Sequence, residues 1–272
     1  MSNPVCIICG SDESTVVERC EPPYTVVRCS RCGFVHVTPL PQALEDHYAE
    51  DYYKEWRDTQ ERPRLSMWKK RLKDLMRYKK QGRLLDVGCG LGTFLDLARS
   101  AGFDVHGTEV SEYICHFAKE KLSLNIFHGP LEDFPSGLDS FDVITLWHTL
   151  EHMPNPLACL EKARQLLRPD GLLVVGVPNV NNTIMRILYP LVRRRPYRLF
   201  SPTHKELHLS HFSQSTLSAI LNKSGFEIVS IGPDIAQISI WKKLIDSATI
   251  IVYRLFNKNV GEGIRVYARK AR

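Results

Sequence analysis

From residue 83 onward, the chain alternates short apolar runs with segments whose apolar residues recur at helical spacing. Short apolar runs bounded by polar or turn residues are typical of buried strands, and spacings of three and four residues are typical of helices. The apolar runs predict strands at 84–87, 105–109, 124–128, 141–146, 172–177, 225–230 and 264–268. Strands separated by helices predict an α/β fold with a mainly parallel sheet.

Several of the predicted helices carry capping signals at their first residues. Ser111 and Ser213 each precede a helical pattern and are predicted to be N-caps. Asn155-Pro156 combines a capping side chain with a proline in the first turn. Residues 169–171, Pro-Asp-Gly, have the composition of a turn before the fifth strand.

A glycine-rich turn follows the first of these strands. Gly88, Gly90 and Gly92 would let the backbone approach a ligand, and the helix that follows offers N–H groups to a carboxylate. The dinucleotide fingerprint requires its third glycine at Thr93, one place later than Gly92. Asp86 would repel a diphosphate there but would favour an aminoacyl group that carries an ammonium.

The next strand also ends in a carboxylate, Glu109, placed to accept hydrogen bonds from both hydroxyls of a ribose. With the glycine turn, this segment resembles the class I S-adenosylmethionine (SAM)-dependent methyltransferases. The alternative is a structural glycine turn in another α/β protein. The resemblance implies a set of cofactor contacts, namely Asp86, Gly88, Cys89, Gly90, Gly92, Glu109, Val110, Leu131, Glu132 and Trp147.

Adenine recognition is the part of this pattern from which the chain departs. Many relatives carry an aspartate directly after the glycine at position 129, and this chain has Pro130. We therefore expect the backbone of Leu131, with Glu132 or Asp133, to frame the adenine. Trp147 is expected to bound the methyl-transfer site.

His148, Glu151 and His152 follow the central strand at its carboxyl end, the edge at which open α/β sheets bind ligands. The segment is similar to the E-x-x-E-H segment of metal-dependent O-methyltransferases that act on ubiquinone precursors and small-RNA ribose ends. His148 replaces the first acid, and His208 lies where the small-RNA enzymes place a fourth ligand. Three interpretations stay open: a divalent metal site, a general base at His148 or His152, and a structural network without metal.

Two C-x-x-C pairs occur in the first 40 residues, each followed by glycine. Their thiolates predict a closed, structural Zn²⁺ site, whose ligands would be Cys6, Cys9, Cys29 and Cys32. A stretch this short cannot fold on its own core, so residues 1–40 are predicted to be a zinc ribbon. Its acidic residues outnumber its arginines, which disfavours nucleic acid as a partner.

Residues 41–82 would connect the ribbon to the cofactor domain as a helical connector or lid. Helical spacing from residue 62 to residue 80 predicts a helix that packs on the edge of the sheet. Tyr48, Tyr52 and Tyr53 precede it. These rings would either cover the sulfonium, since aromatic faces attract cations, or pack the hinge between ribbon and domain.

Residues 179–215 read as an insertion on the acceptor side. Within it, residues 184–200 combine an apolar helix with a run of arginines. This pattern suits contact with a membrane surface, contact with a lipid-linked anionic substrate, or an amphipathic cap over the acceptor pocket. Histidines 204, 208 and 211 are expected to line or brace that pocket. Residues 240–256 are amphipathic and read as a further helix.

Composition changes this picture little. The 272 residues carry a net charge of +6, which permits an anionic partner without requiring one. Eight cysteines without a secretory signal indicate a reducing compartment, and no apolar run is long enough to cross a bilayer. We therefore expect a cytoplasmic protein, with peripheral attachment to the inner membrane face as an option.

The combined prediction is a Rossmann-like, seven-stranded methyltransferase sheet over residues 83–272, with an antiparallel last strand implied by the resemblance. The ribbon at the front resembles the N-terminal module of bacterial sugar and cell-surface-glycan methyltransferases. The expected function is SAM-dependent methylation of a small-molecule or glycan acceptor, lipid-linked acceptors included, with O-methylation assisted by a histidine. RNA methylation through the ribbon and non-catalytic SAM binding are the alternatives. The sequence leaves the acceptor, the methylated atom and the oligomeric state open.

Overall fold

The structure, a computed structural model, describes residues 5–42, 44, 61–135, 141–235 and 240–271. The strands of the described residues are β1 (Ser14–Arg19), β2 (Thr25–Cys29), β3 (Val35–Thr38), β4 (Gly82–Val87), β5 (Phe103–Glu109), β6 (Ile126–His128), β7 (Phe141–Trp147), β8 (Leu167–Pro178), β9 (Ser210–His211), β10 (Phe226–Asp234) and β11 (Gly263–Lys270). The α-helices of the same residues are α1 (Glu61–Leu75), α2 (Thr93–Ser100), α3 (Glu112–Leu122), α4 (Pro156–Leu166), α5 (Thr183–Arg193), α6 (Gln214–Lys223) and α7 (Ile240–Phe256). The predicted strands and helices are therefore present, some with different ends.

Seven strands form the main sheet in the order β10-β11-β8-β7-β4-β5-β6. Strands β8, β7, β4, β5 and β6 run parallel to one another, and β11 is antiparallel to both β8 and β10. The predicted α/β sheet with an antiparallel last strand is thus confirmed. The strand order reverses at β4, so the carboxyl ends of β4 and β7 border the crevice in which this kind of sheet binds ligands.

Buried residues cover both faces of this sheet, in two main clusters. Leu72 and Leu75 of α1 are buried in one cluster with Phe94 of α2 and with Val143 and Val174 of the central strands. Helix α1 therefore packs on a face of the sheet beside α2, and the predicted packing on its edge is wrong. The apolar residues of this helix are buried, as predicted, but they lie against the middle of the sheet.

The ribbon does not stand apart from the cofactor domain. Strand β9, which comes from the acceptor side, pairs with β3 and completes a four-stranded sheet in the order β1-β2-β3-β9. Cys6 and Cys29 lie in the same buried cluster as the apolar residues of β7 and β8. On the other side of the ribbon, Val26 and Val35 are buried with Phe200 of the insertion.

Two local predictions differ from the structure, and a third is kept. Residues 169–171 fall within the span of β8 but have no pairing partner on β7, and a Cβ atom on Gly171 would lie 3.0 Å from the Arg168 carbonyl oxygen, so the chain bends back there as the composition suggested. Ser111 precedes α3 but its side chain makes no capping hydrogen bond. Helix α1 ends at Leu75, before the predicted end at Lys80.

The predicted caps at Asn155 and Ser213 are confirmed, because each side chain accepts a hydrogen bond from a backbone N–H in the first turn. Tyr48, Tyr52 and Tyr53 lie outside the described residues. Across the described ranges, no helix combines the length and apolar character required to cross a membrane.

Candidate functional site

The glycine turn after β4 has the backbone conformation that the sequence suggested. Gly88, Gly90 and Gly92 have φ values of 65°, 51° and 77°, which side chains other than glycine rarely adopt. A Cβ atom on Gly92 would lie 2.6 Å from a methyl group of Leu124, whereas one on Gly90 would meet nothing within 4 Å. Gly92 thus fits the turn against α3 and β6, and Gly90 presents its backbone to open space.

Glu109 at the end of β5 is bound to this turn. One carboxylate oxygen accepts a hydrogen bond from the Gly90 N–H at 3.0 Å. The other accepts from the N–H groups of Val110 at 2.9 Å and Ser111 at 3.1 Å. The carboxylate is therefore fixed between two of the elements predicted to hold the cofactor.

Asp86 is buried at the end of β4 and accepts a hydrogen bond of 2.6 Å from the Thr145 hydroxyl. Burial raises the pKa of its carboxyl to about 7, because the hydrogen bond from Thr145 and the charge of Arg71 offset the desolvation only in part. Glu109 adds to the increase. Asp86 therefore titrates near neutral pH in the protein without ligands.

The turn predicted to frame adenine is attached to the same strand end. The Gly129 N–H donates to the Glu109 carbonyl at 2.9 Å, and a short 3-10 turn over Leu131–Asp133 follows. Leu131 is fully buried at this turn, so its predicted role toward adenine stays a prediction. One carboxylate oxygen of Glu132 is buried and has no hydrogen-bond partner among the described residues. Cys89 is buried beneath the glycine turn.

His148 directly follows β7 and has a φ of 55°, unusual for a residue with a side chain. Its backbone N–H donates to the Gly176 carbonyl at 2.8 Å, which holds it at the strand end. Ring atom Nδ1 lies 3.5 Å from Glu151, and Nε2 lies 2.9 Å from a guanidinium nitrogen of Arg71. The side chain is 43% exposed, so it borders open space while its polar atoms face buried charges.

Protonation of this ring is governed by opposing effects. Burial lowers the pKa of His148, but Asp234 and Glu151 outweigh that effect and raise it above the ordinary value. Arginine can only donate, so Nε2 carries the lone pair in this arrangement and Nδ1–H faces Glu151. The two carboxylates would balance a positive charge on the ring.

Arg71 was missed by the sequence analysis. Its guanidinium is buried against the rings of Trp68 and Trp147, at 4.9 and 4.7 Å from their centroids, and donates to the carboxylate of Asp234. Its Nε and one terminal nitrogen have no hydrogen-bond partner among the described residues. The only signal in the sequence was a single arginine on the apolar face of a helix, which reads equally well as a solvated side chain. Trp147, predicted to bound the methyl-transfer site, lies beside this guanidinium and is buried.

The second charged group of the site is the cluster of Glu151, His152 and His208. Each offers a ligand atom, and these atoms all lie within 4.8 Å of one another. Both carboxylate oxygens of Glu151 are buried and lack hydrogen-bond partners among the described residues. His152 Nδ1 lies 2.9 Å from the Leu207 carbonyl and therefore donates to it, which leaves the lone pair on Nε2. Metal-binding histidines usually donate from their other ring nitrogen to a carbonyl or carboxylate in this way, so the donor set fits a divalent cation.

Burial and charge pairing set the protonation of this cluster. Burial lowers the pKa of His152, and it lowers that of His211 to about 3. Burial would raise the pKa of Glu206, but the hydrogen bond to His208 and the charges of nearby histidines lower it to about 2. Neutral imidazoles beside ionised carboxylates are the forms that bind metal ions. His211 is buried in β9, and its predicted place beside the acceptor pocket stays a prediction.

The four ribbon cysteines also come together as predicted. The sulfur atoms lie 3.5 Å apart for Cys6 and Cys32 and 3.4 Å apart for Cys9 and Cys29, and all four lie within 4.8 Å of one another. A tetrahedral ion with Zn–S bonds of about 2.3 Å separates its sulfurs by roughly 3.8 Å. The cysteines therefore fit a structural zinc ion.

A family model described as a methyltransferase domain matches residues 46–231, more than half of the chain. Ubiquinone biosynthesis O-methyltransferase of Actinobacillus pleuropneumoniae is 33% identical over 120 residues, which are 40% of this chain and 50% of that protein. Demethylmenaquinone methyltransferase of Staphylococcus aureus is 30% identical over 115 residues, 40% and 48% of the two chains. The chain thus spans about half the length of these curated relatives.

Solved structures show the same fold at low identity. The 1,6-didemethyltoxoflavin-N1-methyltransferase of Burkholderia thailandensis, solved with its substrate and S-adenosylhomocysteine, has a TM-score of 0.59 and 16% identity. That match covers 96% of this chain and 100% of the other. A SAM-dependent methyltransferase of Archaeoglobus fulgidus has a TM-score of 0.52 and 20% identity, over 76% and 94% of the chains. Since the strand order, the glycine turn and the extent of the family match agree, the chain belongs to this family of methyltransferase domains.

Proposed function

We propose that the protein transfers the methyl group of SAM to a hydroxyl group of a small-molecule acceptor. The observation that carries this proposal is the carboxylate of Glu109, fixed on the N–H of Gly90 at the mouth of the crevice. In this position it would accept hydrogen bonds from the ribose hydroxyls, while Gly88, Gly90 and Gly92 would shape the pocket of the aminoacyl group. Leu131 and Glu132 would frame the adenine.

Asp86 and Arg71 offer opposite charges for the two ends of an amino acid. Asp86, beside the glycine turn, would favour the ammonium group of SAM. Arg71 has two buried nitrogens without hydrogen-bond partners among the described residues, and its charge reaches Asp86. An unsatisfied buried donor is costly, so a carboxylate that accepted from it would be bound favourably.

Methyl transfer from a sulfonium is an in-line displacement, so alignment and exclusion of water supply most of the catalysis. The acceptor oxygen forms a bond to the methyl carbon as the S–C bond breaks, and the products are the methyl ether and S-adenosylhomocysteine. The hydroxyl proton would pass to the lone pair on Nε2 of His148. This transfer requires Arg71 to release that nitrogen, and Asp234, 3.7 Å away, would balance the new charge.

A divalent cation on Glu151, His152 and His208 is a second candidate for activating the acceptor. The close approach of their ligand atoms and the lack of hydrogen bonds on Glu151 support it. Bound there, such an ion would act as a Lewis acid on the acceptor oxygen. The ribbon cysteines would hold a separate, structural zinc.

The names of the curated relatives favour a small quinone-like or phenolic acceptor, and the ribbon's resemblance favours a glycan. We therefore propose to incubate the protein with methyl-tritiated SAM and three acceptor sets: catechols, nucleotide sugars and RNA. Label in catechols or sugars would support the proposal and choose between them. Label in RNA would assign the ribbon to nucleic acid, and SAM binding without any transfer would indicate a non-catalytic protein.

The role of the metal is tested in the same assay with the Glu151→Gln variant. The metal site would be supported if chelation abolished the activity of the wild type and added Mn²⁺ or Mg²⁺ restored it, while the variant stayed inactive with added metal. Activity that survives chelation unchanged would leave His148 as the activating group. The zinc content, measured in parallel, shows whether the chelator has also stripped the ribbon.

A further inference from the structure

Helix α5 presents its apolar side chains to solvent. Ile187, Leu188, Leu191 and Val192 are 58%, 42%, 71% and 75% exposed, and no residue of the helix is buried. Positions 187, 188, 191 and 192 repeat at helical spacing, so they form one continuous stripe. In a helix that only caps a pocket this stripe would face the protein.

The opposite side of α5 faces the ribbon. Arg186 and Pro190, together with Arg194, line a cleft of about 780 Å³ against Val17 and Glu18 of β1. Arg186 and Pro190 are themselves exposed, and the partly covered residues of the helix are Ile184, Met185 and Tyr189. The stripe therefore stays uncovered while other apolar residues of α5 are partly buried, and exposed apolar stripes of this kind mark interaction sites.

A second apolar patch lies at the end of α7, where Ile251, Leu255 and Phe256 are 58%, 69% and 66% exposed. The side chain of Asn179, just before α5, donates to the carbonyls of two residues just after α7, at 2.9 and 3.0 Å. The start of α5 and the end of α7 are therefore attached to one another. Both lie at the carboxyl end of β8, the edge of the sheet that carries His148.

The charges around the stripe identify what would cover it. Helix α5 contains no acidic residue, and Arg193, Arg194 and Arg195 follow its stripe as exposed side chains, of which Arg194 and Arg195 also border the cleft beside Glu18. In a symmetric pair of such helices, the arginines of one copy would find no carboxylate on α5 of the other. An anionic lipid surface supplies both the apolar layer and the negative charge.

We propose that the stripe on α5, with the arginines at its end, docks the protein on an anionic lipid bilayer, with the sheet edge that carries the candidate site next to the membrane. The helix would lie in the interface and would not cross the bilayer. This inference does not depend on the identity of the acceptor, because it rests on exposed side chains alone.

The test is co-sedimentation of the full chain with sucrose-loaded vesicles. Vesicles of phosphatidylcholine with phosphatidylglycerol are compared with vesicles of phosphatidylcholine alone. We expect the wild type to bind the anionic vesicles at least about tenfold more tightly, with binding reduced by salt, since each arginine near the surface adds to the attraction. The combined variant R193Q/R194Q/R195Q should lose this preference for anionic lipid.

The variant Leu191→Glu places a charge on the stripe and should weaken vesicle binding by about tenfold or more, because a buried leucine contributes about that much. Val5→Glu is the matched control, since Val5 is 63% exposed and belongs to the ribbon. An unchanged melting temperature would show that both variants fold. The proposal is overturned if the wild type does not bind anionic vesicles, if Leu191→Glu binds like the wild type, or if the stripe instead mediates a dimer that Leu191→Glu dissociates.

Discussion

Replacing Glu109 by glutamine tests the cofactor site most directly. The substitution keeps the size of the side chain but removes its charge and turns one acceptor oxygen into an amide donor. In the protein, the two oxygens accept from the backbone N–H groups of Gly90, Val110 and Ser111. Whichever way the amide points, its NH₂ group faces at least one of these donors.

The magnitude follows from the hydrogen bonds that change. A buried donor left without an acceptor costs roughly 1–3 kcal/mol, so the variant should unfold at a lower temperature. Hydrogen bonds to a charged group contribute about 1.5–3 kcal/mol each, so weakening two bonds to the ribose would cost roughly 3–6 kcal/mol of SAM affinity. Since about 1.4 kcal/mol corresponds to tenfold, the dissociation constant should rise by roughly a hundred- to ten-thousand-fold.

Isothermal titration calorimetry with SAM and with S-adenosylhomocysteine measures this change at a temperature where both proteins are folded. Glu112→Gln is the matched control, because Glu112 begins the next helix with its side chain 76% exposed. Glu112→Gln should bind like the wild type. If a folded Glu109→Gln variant bound SAM within threefold of the wild type, Glu109 would not hold the ribose and the assignment of this site would be wrong.

Four further predictions address other parts of the molecule. Because burial raises the folded-state pKa of Asp86 to about 7, the unliganded protein should lose stability as the pH rises from about 4 through 7. In thermal melts, Asp86→Asn should remove this pH dependence, which amounts to at most about 4 kcal/mol of unfolding free energy. The same dependence of melting temperature on pH in the variant and the wild type would contradict this. Cys29→Ser should lower both the zinc content in elemental analysis and the melting temperature of the whole chain. A separate unfolding transition of the ribbon at lower temperature would instead show that the two sheets unfold independently. Gly92→Ala should destabilise the protein by about 1–3 kcal/mol in denaturant melts, more than Gly102→Ala, since only the first Cβ meets a neighbouring methyl group at 2.6 Å; equal effects would mean that backbone strain alone matters. His148→Gln should reduce kcat by roughly a hundredfold or more with SAM affinity unchanged, and a full kcat would remove it as the base.

The cofactor segment could be predicted because its information is local. A buried strand, three glycines, a helix and a second strand that ends in Glu109 follow one another within 30 residues, and each leaves its own pattern of apolar and small residues. The same holds for the caps at Asn155 and Ser213. These elements formed where the pattern placed them because local and tertiary preferences agree there.

The contacts that the sequence could not show are those between distant segments. Arg71 meets Asp234 across more than 160 residues, and a single arginine in a helix gives no hint of a buried ion pair. Strand β9 has only two residues and owes its extended conformation to pairing with β3. The stripe of α5 was read as apolar, but the pattern alone cannot tell whether such a face points inward or outward.

The pairing of β9 has a consequence for how this chain can be divided. The segment Leu209–His211 bonds on one side to the ribbon, where Val37 N–H donates to the Leu209 carbonyl, and on the other to the turn of Glu151, whose carbonyl accepts from Leu209 N–H. One strand, β9, thus separates the ribbon from the charged cluster of Glu151, His152 and His208. The ribbon therefore cannot be replaced by that of a related protein without changing the partner of β9. A chimera joined near residue 41 would carry a foreign partner for β9 and would disturb His208, which precedes this strand, and His211, which lies in it. Loss of the proposed zinc would act in the same way, by loosening β3, the strand with which β9 pairs.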